Sequence, residues 1–277
     1  MPFVHSGSVN VHFRTGAVHG PTVLLAHGFL MDASMFDPIR KILGHTDINV
    51  VTWDARGHGR TGYGEPPGFD YWDLAADGVR VLDALGIDRA IVGGMSQGGY
   101  AALRLALLAP DRVAGLALLD TEAEACTPAE AADYEDFFDA WCGTGELAPL
   151  AEGLAPRLIG GDDPAVWRPW IDRWLAADRT AIRPAARCLV DRDAVTERLG
   201  EITVPALVLR GEHDQNSTVD KCARLAAGLA GAGAVRTIAG AGHGAALTHP
   251  EQVATMLAGL VSTCVPCAPR PVAVAGI

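Results

Sequence analysis

The sequence predicts an α/β protein: a mostly parallel central sheet flanked by helices, with a helical segment inserted between two core strands. Three observations carry this. Continuous apolar runs of strand length recur along the chain, as strands buried on both faces require. Helical stretches separate most of these runs, the alternation that a parallel sheet covered on both faces produces. The alternation then fails between about 122 and 195 and resumes afterwards.

The elements follow in chain order. Residues 9–13, VNVHF, alternate and read as an edge strand. TVLLAHG (22–28) is a continuous apolar run ending in glycine, and INVVTWDARG (48–57) repeats the pattern. YWDLAADGVRVLDALG (71–86) places Leu74, Val81, Leu82 and Leu85 at helical spacing and stops at Gly86. RAIVGGMS (89–96) is a third buried run, and GGYAALRLALLAP (98–110) is a helix that ends before Pro110. VAGLALLD (113–120) is a fourth run. The insertion starts acidic and helical and is broken by Pro149, Pro156, Pro164, Pro169 and Pro184. It holds Trp141, Trp167, Trp170 and Trp174. VPALVLRGEHD (204–214) is the fifth run and TVDKCARLAAGLA (218–230) a helix. AVRTIAG (234–240) is the last strand and PEQVATMLAGLV (250–261) the last helix.

Bulk composition narrows the function. A net charge of −11 argues against a nucleic-acid or anionic-membrane partner, since either favours a basic face. The N-terminus, MPFVHSGSVN, has neither a charged start nor an apolar run, so no signal peptide is expected. No apolar stretch is long enough to span a membrane; LRLALLAPDRVAGLALLD comes nearest and is broken by Arg104, Pro110, Asp111 and Arg112. Six cysteines, at 126, 142, 188, 222, 264 and 267, then read as reduced thiols of a cytoplasmic protein. Cys264 and Cys267 form a lone CxxC in a proline-rich stretch, read as a frayed tail over 264–277. Neither a metal-ligand cluster nor a phosphate loop is seen: GGMSQGG lacks the lysine of a P-loop. No cofactor is expected.

Four buried strands end in chemically pointed residues: His27-Gly28-Phe29, Ser96, Asp214, and His243 among glycines in GAGHGAALTHP. In an open parallel sheet, ligands bind beyond the carboxyl ends of the strands, so these groups can converge although distant in sequence. Gly94-Met95-Ser96-Gln97-Gly98, with a strand before and a helix after, matches G-x-S-x-G, a sharp turn that holds its serine hydroxyl proud of the sheet. From about residue 9 to 262 the sequence resembles the α/β-hydrolase family, in the elbow, in HG-F, and in the order Ser96, Asp214, His243. WDARGHGRTGYG (53–64) resembles the family's D-x-R-G-H-G-x-S turn, with Thr61 in the last place.

The resemblance implies an α/β-hydrolase fold with a core over 1–121 and 196–263 and a helical lid over 122–195. It implies Ser96 as nucleophile, His243 as general base and Asp214 as the acid that orients it. Asp120, at the end of an earlier strand, is the rival acid. The backbone N–H groups of Phe29 and Gln97 would form the oxyanion hole. His27 supports that loop; His58 belongs to a structural turn and His249 to the start of the last helix. Phe29, Met95, Trp141, Trp167, Trp170 and Trp174 are the pocket candidates, most of the lid aromatics, with Phe137 and Phe138, being expected to pack.

The motifs look most like the enol-lactonase, small-esterase and cofactor-free haloperoxidase branch. The reading is hydrolysis of an apolar or aromatic small-molecule ester or lactone through an acyl-enzyme. C–C bond hydrolysis of a vinylogous diketone uses the same triad and stays open, as does a slow-turnover ligand receptor. A serine at the elbow argues against epoxide hydrolase or haloalkane dehalogenase chemistry, which uses aspartate there. Substrate identity and oligomeric state are not written in the sequence.

Overall fold

A computed structural model describes residues 2–16, 20–65 and 67–264. Its sheet comprises β1 (Phe3–Ser6), β2 (Val9–Arg14), β3 (Thr22–Ala26), β4 (Asn49–Trp53), β5 (Ala90–Met95), β6 (Val113–Leu119), β7 (Ala206–Gly211) and β8 (Arg236–Ile238). The eight strands lie in the order β1-β2-β4-β3-β5-β6-β7-β8. β1 and β2 pair antiparallel, as do β2 and β4; every later pairing is parallel. The predicted α/β architecture is therefore present. Every residue of β3, β4 and β5 is buried, which is why these segments read as unbroken apolar runs.

Some elements were invisible in the sequence, and one expectation changes. VNVHF is not at the sheet edge: β1 pairs outside it through a hairpin at Gly7, whose φ of +60° suits glycine. Helix α1 (Asp37–Leu43) is seven residues long, too short to display a period, and buries only Ile39 and Leu43.

The remaining helices are α2 (Tyr71–Ala84), α3 (Gln97–Leu108), α4 (Pro128–Cys142), α5 (Ala148–Leu158), α6 (Pro164–Ala176), α7 (Arg183–Val190), α8 (Val219–Gly228), α9 (Ala245–Thr248) and α10 (Pro250–Cys264). Helices α4 to α7 occupy the insertion between β6 and β7. Thr127 and Glu130 start α4 as a reciprocal capping box. Buried Arg104 on α3 ties down the end of the insertion, its Nε donating to Asp193 Oδ1 at 3.0 Å. Cys264 closes α10, one residue beyond the expected core boundary, and Cys267 lies outside the described residues. Among the described residues, no helix is long and apolar enough to cross a membrane.

The parallel order has one consequence for function. The segments after β3, β5, β6, β7 and β8 all emerge at the same sheet edge, and they carry Phe29, Ser96, Asp120, Asp214 and His243.

Candidate active site

Ser96 is the turn residue between β5 and α3, with φ 53° and ψ −116°. An L-residue holds that conformation only under surrounding constraint. The constraint is visible. The Ser96 N–H donates to Leu119 O at 2.9 Å, and its carbonyl accepts from Gly99 N–H at 2.9 Å and from the Thr121 hydroxyl at 2.8 Å. The flanking glycines are spatially obligatory. A Cβ on Gly94 or Gly98 would collide with the Ala26 carbonyl, and one on Gly99 with the Thr121 side chain. Among the described residues, only Leu30, Ser96 and Asp120 are non-glycine residues at positive φ. Leu30 follows Phe29, so all three lie at this one sheet edge, where strain of this kind commonly marks a site.

The loop after β3 is braced from four directions. His27 Nδ1–H donates to the Gly28 carbonyl at 2.7 Å while its Nε2 accepts from Ala55 N–H at 2.9 Å. His58 repeats the arrangement, with Nδ1–H to the Arg56 carbonyl at 3.0 Å and Nε2 accepting from Leu30 N–H at 3.2 Å. One neutral tautomer satisfies both bonds in each ring. Burial, then the neighbouring His27, push the His58 pKa down to about 3. Asp54, first residue of the D-x-R-G-H-G turn, accepts from Ala33 N–H at 2.7 Å. Trp174 from α6 donates its indole N–H to the Leu30 carbonyl at 2.7 Å. Among the described residues, the backbone N–H groups of Phe29 and Gln97 meet no acceptor. Two unpaired donors at neighbouring strand ends are what an oxyanion hole requires.

Asp214 and His243 are both buried and hydrogen-bonded, Nδ1 to Oδ2 at 2.9 Å. The other Asp214 oxygen accepts from Asn216 N–H at 2.8 Å and Ser217 N–H at 3.2 Å. Burial alone would raise the carboxyl pKa, but His243 and these N–H groups outweigh it and hold the group below its ordinary value. Arg210, which the sequence reading missed, pins this loop by donating to the Ser217 and Asp214 carbonyls at 3.2 and 2.9 Å. The histidine loop is held by the end of α5: Gly244 N–H donates to Ile159 O at 2.9 Å, and a Cβ on Gly242 would strike Gly160. Among the described residues, no hydrogen bond joins the Ser96 hydroxyl to His243.

The pocket candidates divide. Met95 is fully buried, and a Cβ on Gly28 would strike its sulfur, so it packs beneath the loop. The Phe29 ring lies edge-on to His58 at 5.2 Å and tilted to Phe138 at 5.3 Å. Trp141, Trp170 and Trp174 are only 2%, 5% and 5% exposed, so they chiefly bury the insertion's own apolar face. Trp167, half-buried, donates its indole N–H to the Gly160 carbonyl at 2.8 Å. A cavity of about 510 Å³ beside His243 is lined instead by Arg157, Gly160, Gln215, Asn216 and Gly242, among others, and by none of the six pocket candidates. The sequence carried no sign of it, because its walls come from three separate segments: the end of α5 with the loop that follows, and the loops after β7 and β8. Among the described residues, no group of His, Cys, Asp or Glu is placed to hold a metal ion.

The family profile described as α/β hydrolase fold matches residues 21–250. A relative from Variovorax paradoxus named carbamate hydrolase RutD is 31% identical over 235 residues, 76% of this chain and 82% of that protein. A RutD relative from Caulobacter segnis is 42% identical over 99 residues. Across the first two such relatives the match spans only 37% and 46% of their length. Among solved structures, an esterase from Thermogutta terrifontis superposes with a TM-score of 0.85 at 26% identity, covering 95% of this chain and 98% of that one. The enol-lactonase of Burkholderia xenovorans LB400 superposes at 0.82 and 25% identity, covering 94% and 100%.

Proposed function

This chain belongs to the α/β-hydrolase fold family, and we propose that within it the protein is a cofactor-free serine hydrolase of carboxylic esters or lactones. Ser96 Oγ attacks the carbonyl carbon as His243 Nε2 takes its proton. The N–H groups of Phe29 and Gln97 hold the developing oxyanion. His243 returns the proton to the leaving group, and water, activated by the same imidazole, then releases the acyl group from Ser96. Asp214 fixes the tautomer with Nδ1 protonated and stabilises the imidazolium. Among the described residues the Ser96 hydroxyl and His243 are not hydrogen-bonded; in hydrolases of this kind such bonds are often long without substrate and tighten when it binds.

The observation that carries the reading is the buried 2.9 Å His243–Asp214 hydrogen bond at the sheet edge where Ser96 is held at φ 53°. The esterase and enol-lactonase likenesses support the ester or lactone class. The surroundings of the site suggest its polarity. The Phe29–Phe138 ring pair fits an apolar acyl portion, whereas the cavity beside His243, with Gln215, Asn216 and Arg157, fits a polar leaving group. A second reading, hydrolysis of a carbamate, is favoured by the 31% identity to the Variovorax protein over most of both chains.

Steady-state turnover of esters, lactones and carbamates of graded acyl size, with Ser96→Ala as control, tests the proposal. Ester or lactone turnover lost in the control supports it. Preferred carbamate turnover selects the second reading, and turnover that survives Ser96→Ala refutes both.

A further inference from the structure

Asp120 is the acidic residue at this sheet edge that the proposed mechanism leaves unused. It follows β6 directly, is 0% exposed, and holds φ +47°. Its backbone N–H donates to Leu209 O at 2.9 Å, and its Oδ1 accepts from Gly211 N–H at 2.6 Å. Oδ2 is buried and meets no donor among the described residues. Gly211, whose N–H the Asp120 carboxyl holds, accepts the Asp214 N–H on its own carbonyl at 3.2 Å, so the two aspartates flank one residue, and the Asp214 charge acts on the Asp120 carboxyl. Two ionised carboxylates in that arrangement would repel each other and leave a buried oxygen unpaired. A single proton between them removes both costs.

The groups around the pair decide which carboxyl carries the proton. Asp120 faces Asp214, Arg210 on β7 and Cys222 on α8. The Cys222 thiol donates to the carbonyls of Thr121 and Ser217, so it does not supply Oδ2. Arg210 favours an ionised Asp120, but burial first and the Asp214 charge second outweigh it and drive the Asp120 pKa well up. Asp214 is driven the other way by His243 and the N–H groups of Asn216 and Ser217. Both sets of neighbours favour the proton on Asp120 over Asp214.

We propose that Asp120 is a positioning residue that stays protonated at neutral pH and donates its Oδ2–H to the Asp214 carboxylate. This rests on the triad reading above. A carboxylate has about four lone-pair sites. His243, Asn216 and Ser217 occupy three in this structure, and Asp120 supplies the fourth donor. A saturated carboxylate cannot swing away from Nδ1. Its tempered basicity also keeps the shared proton on the imidazole.

The test uses Asp120→Asn, whose amide can both accept from Gly211 and donate to Asp214. The infrared difference spectrum of wild type minus variant at pH 7 should contain the C=O band of a buried carboxylic acid, shifted in deuterium oxide. The acid limb of the kcat/KM profile should move by less than ~0.3 pH unit, because no charge is removed. If Asp120 is instead ionised, the spectrum loses only carboxylate bands, and the limb moves down by about one unit as the imidazolium loses a neighbouring charge. Either result overturns the proposal. Should the variant fail to fold, carbon-13 titration of the wild-type aspartates decides: a carboxyl still protonated at pH 7 supports it, and none overturns it. The spectroscopic readouts do not depend on activity, so loss of the triad reading, seen as turnover surviving Ser96→Ala, stays distinguishable from failure of this one.

Discussion

Replacing Trp174 by phenylalanine tests whether the inserted helices shape the loop after β3 or merely cover it. The indole N–H reaches the Leu30 carbonyl at 2.7 Å from 144 residues away, and Leu30 sits at φ +60° immediately after the proposed oxyanion donor Phe29. Phenylalanine keeps most of the ring contact with Trp141, 6.0 Å between centroids, but deletes the donor. The lost bond and the unsatisfied carbonyl together cost about 2 kcal/mol. For a chain of this size that is a fall in Tm of roughly 3–4 °C. If the bond also aligns the Phe29 N–H, kcat should fall about tenfold, a fraction of the 10²–10³ lost when an oxyanion donor is removed outright. Trp72→Phe is the matched control: it deletes an indole bond to Asp193 of 3.1 Å on α2, away from the loop. Thermal melts and steady-state kinetics on one activated ester decide. A Trp174→Phe enzyme that loses stability but no more kcat than Trp72→Phe would show that the insertion only covers the loop.

Two further outcomes follow from the same geometry. Asp214→Asn should keep the bonds from Asn216 and Ser217 but present the wrong partner to His243, lowering kcat by about 10⁴ if the serine-protease precedent transfers; a loss under tenfold in steady-state kinetics would reassign the acid. His58, with its pKa held near 3 against an ordinary 6.5, stays neutral in the fold while the unfolded chain takes up a proton below pH 6.5. Its contribution is complete above pH 6.5 and shrinks as pH falls toward 3, by up to ~1.4 kcal/mol per pH unit. Urea titrations between pH 7 and 4.5 should show His58→Gln losing less stability per unit than wild type, and equal slopes would contradict the buried neutral ring.

The parallel core was legible because β3, β4 and β5 are buried on both faces and so leave unbroken apolar runs. The elbow was legible because Gly94, Gly98 and Gly99 have no room for a Cβ, so the backbone geometry is written directly into residue type. The bracing was not. The bond that Leu30 N–H donates to His58 and the one its carbonyl accepts from Trp174 join residues 28 and 144 apart, and nothing local in either segment announces its partner. Tryptophan misleads for a related reason. An amphipathic insertion must bury rings whether or not it also binds ligand, so Trp141, Trp170 and Trp174 look alike in sequence whichever they do. The cavity beside His243 is built from glycine-rich loop ends whose backbone closeness, Gly160 against Gly242, is a property of the fold alone. Asp120 was seen as a rival acid; that its carboxyl accepts from Gly211 N–H, at the end of β7, follows from the pairing of β6 with β7 and is not visible in either segment alone.

The central claim is that Ser96 is a nucleophile made reactive by His243. Incubating the protein with a fluorophosphonate and measuring intact mass, then mapping the modified peptide, tests it most directly. The account predicts one adduct per chain, on Ser96, absent in Ser96→Ala and at least a hundredfold slower to form in His243→Ala, the lower end of about 10²–10⁴ for general-base assistance. An adduct that forms at the same rate without Ser96, or ester turnover by a protein that the reagent never modifies, would contradict it.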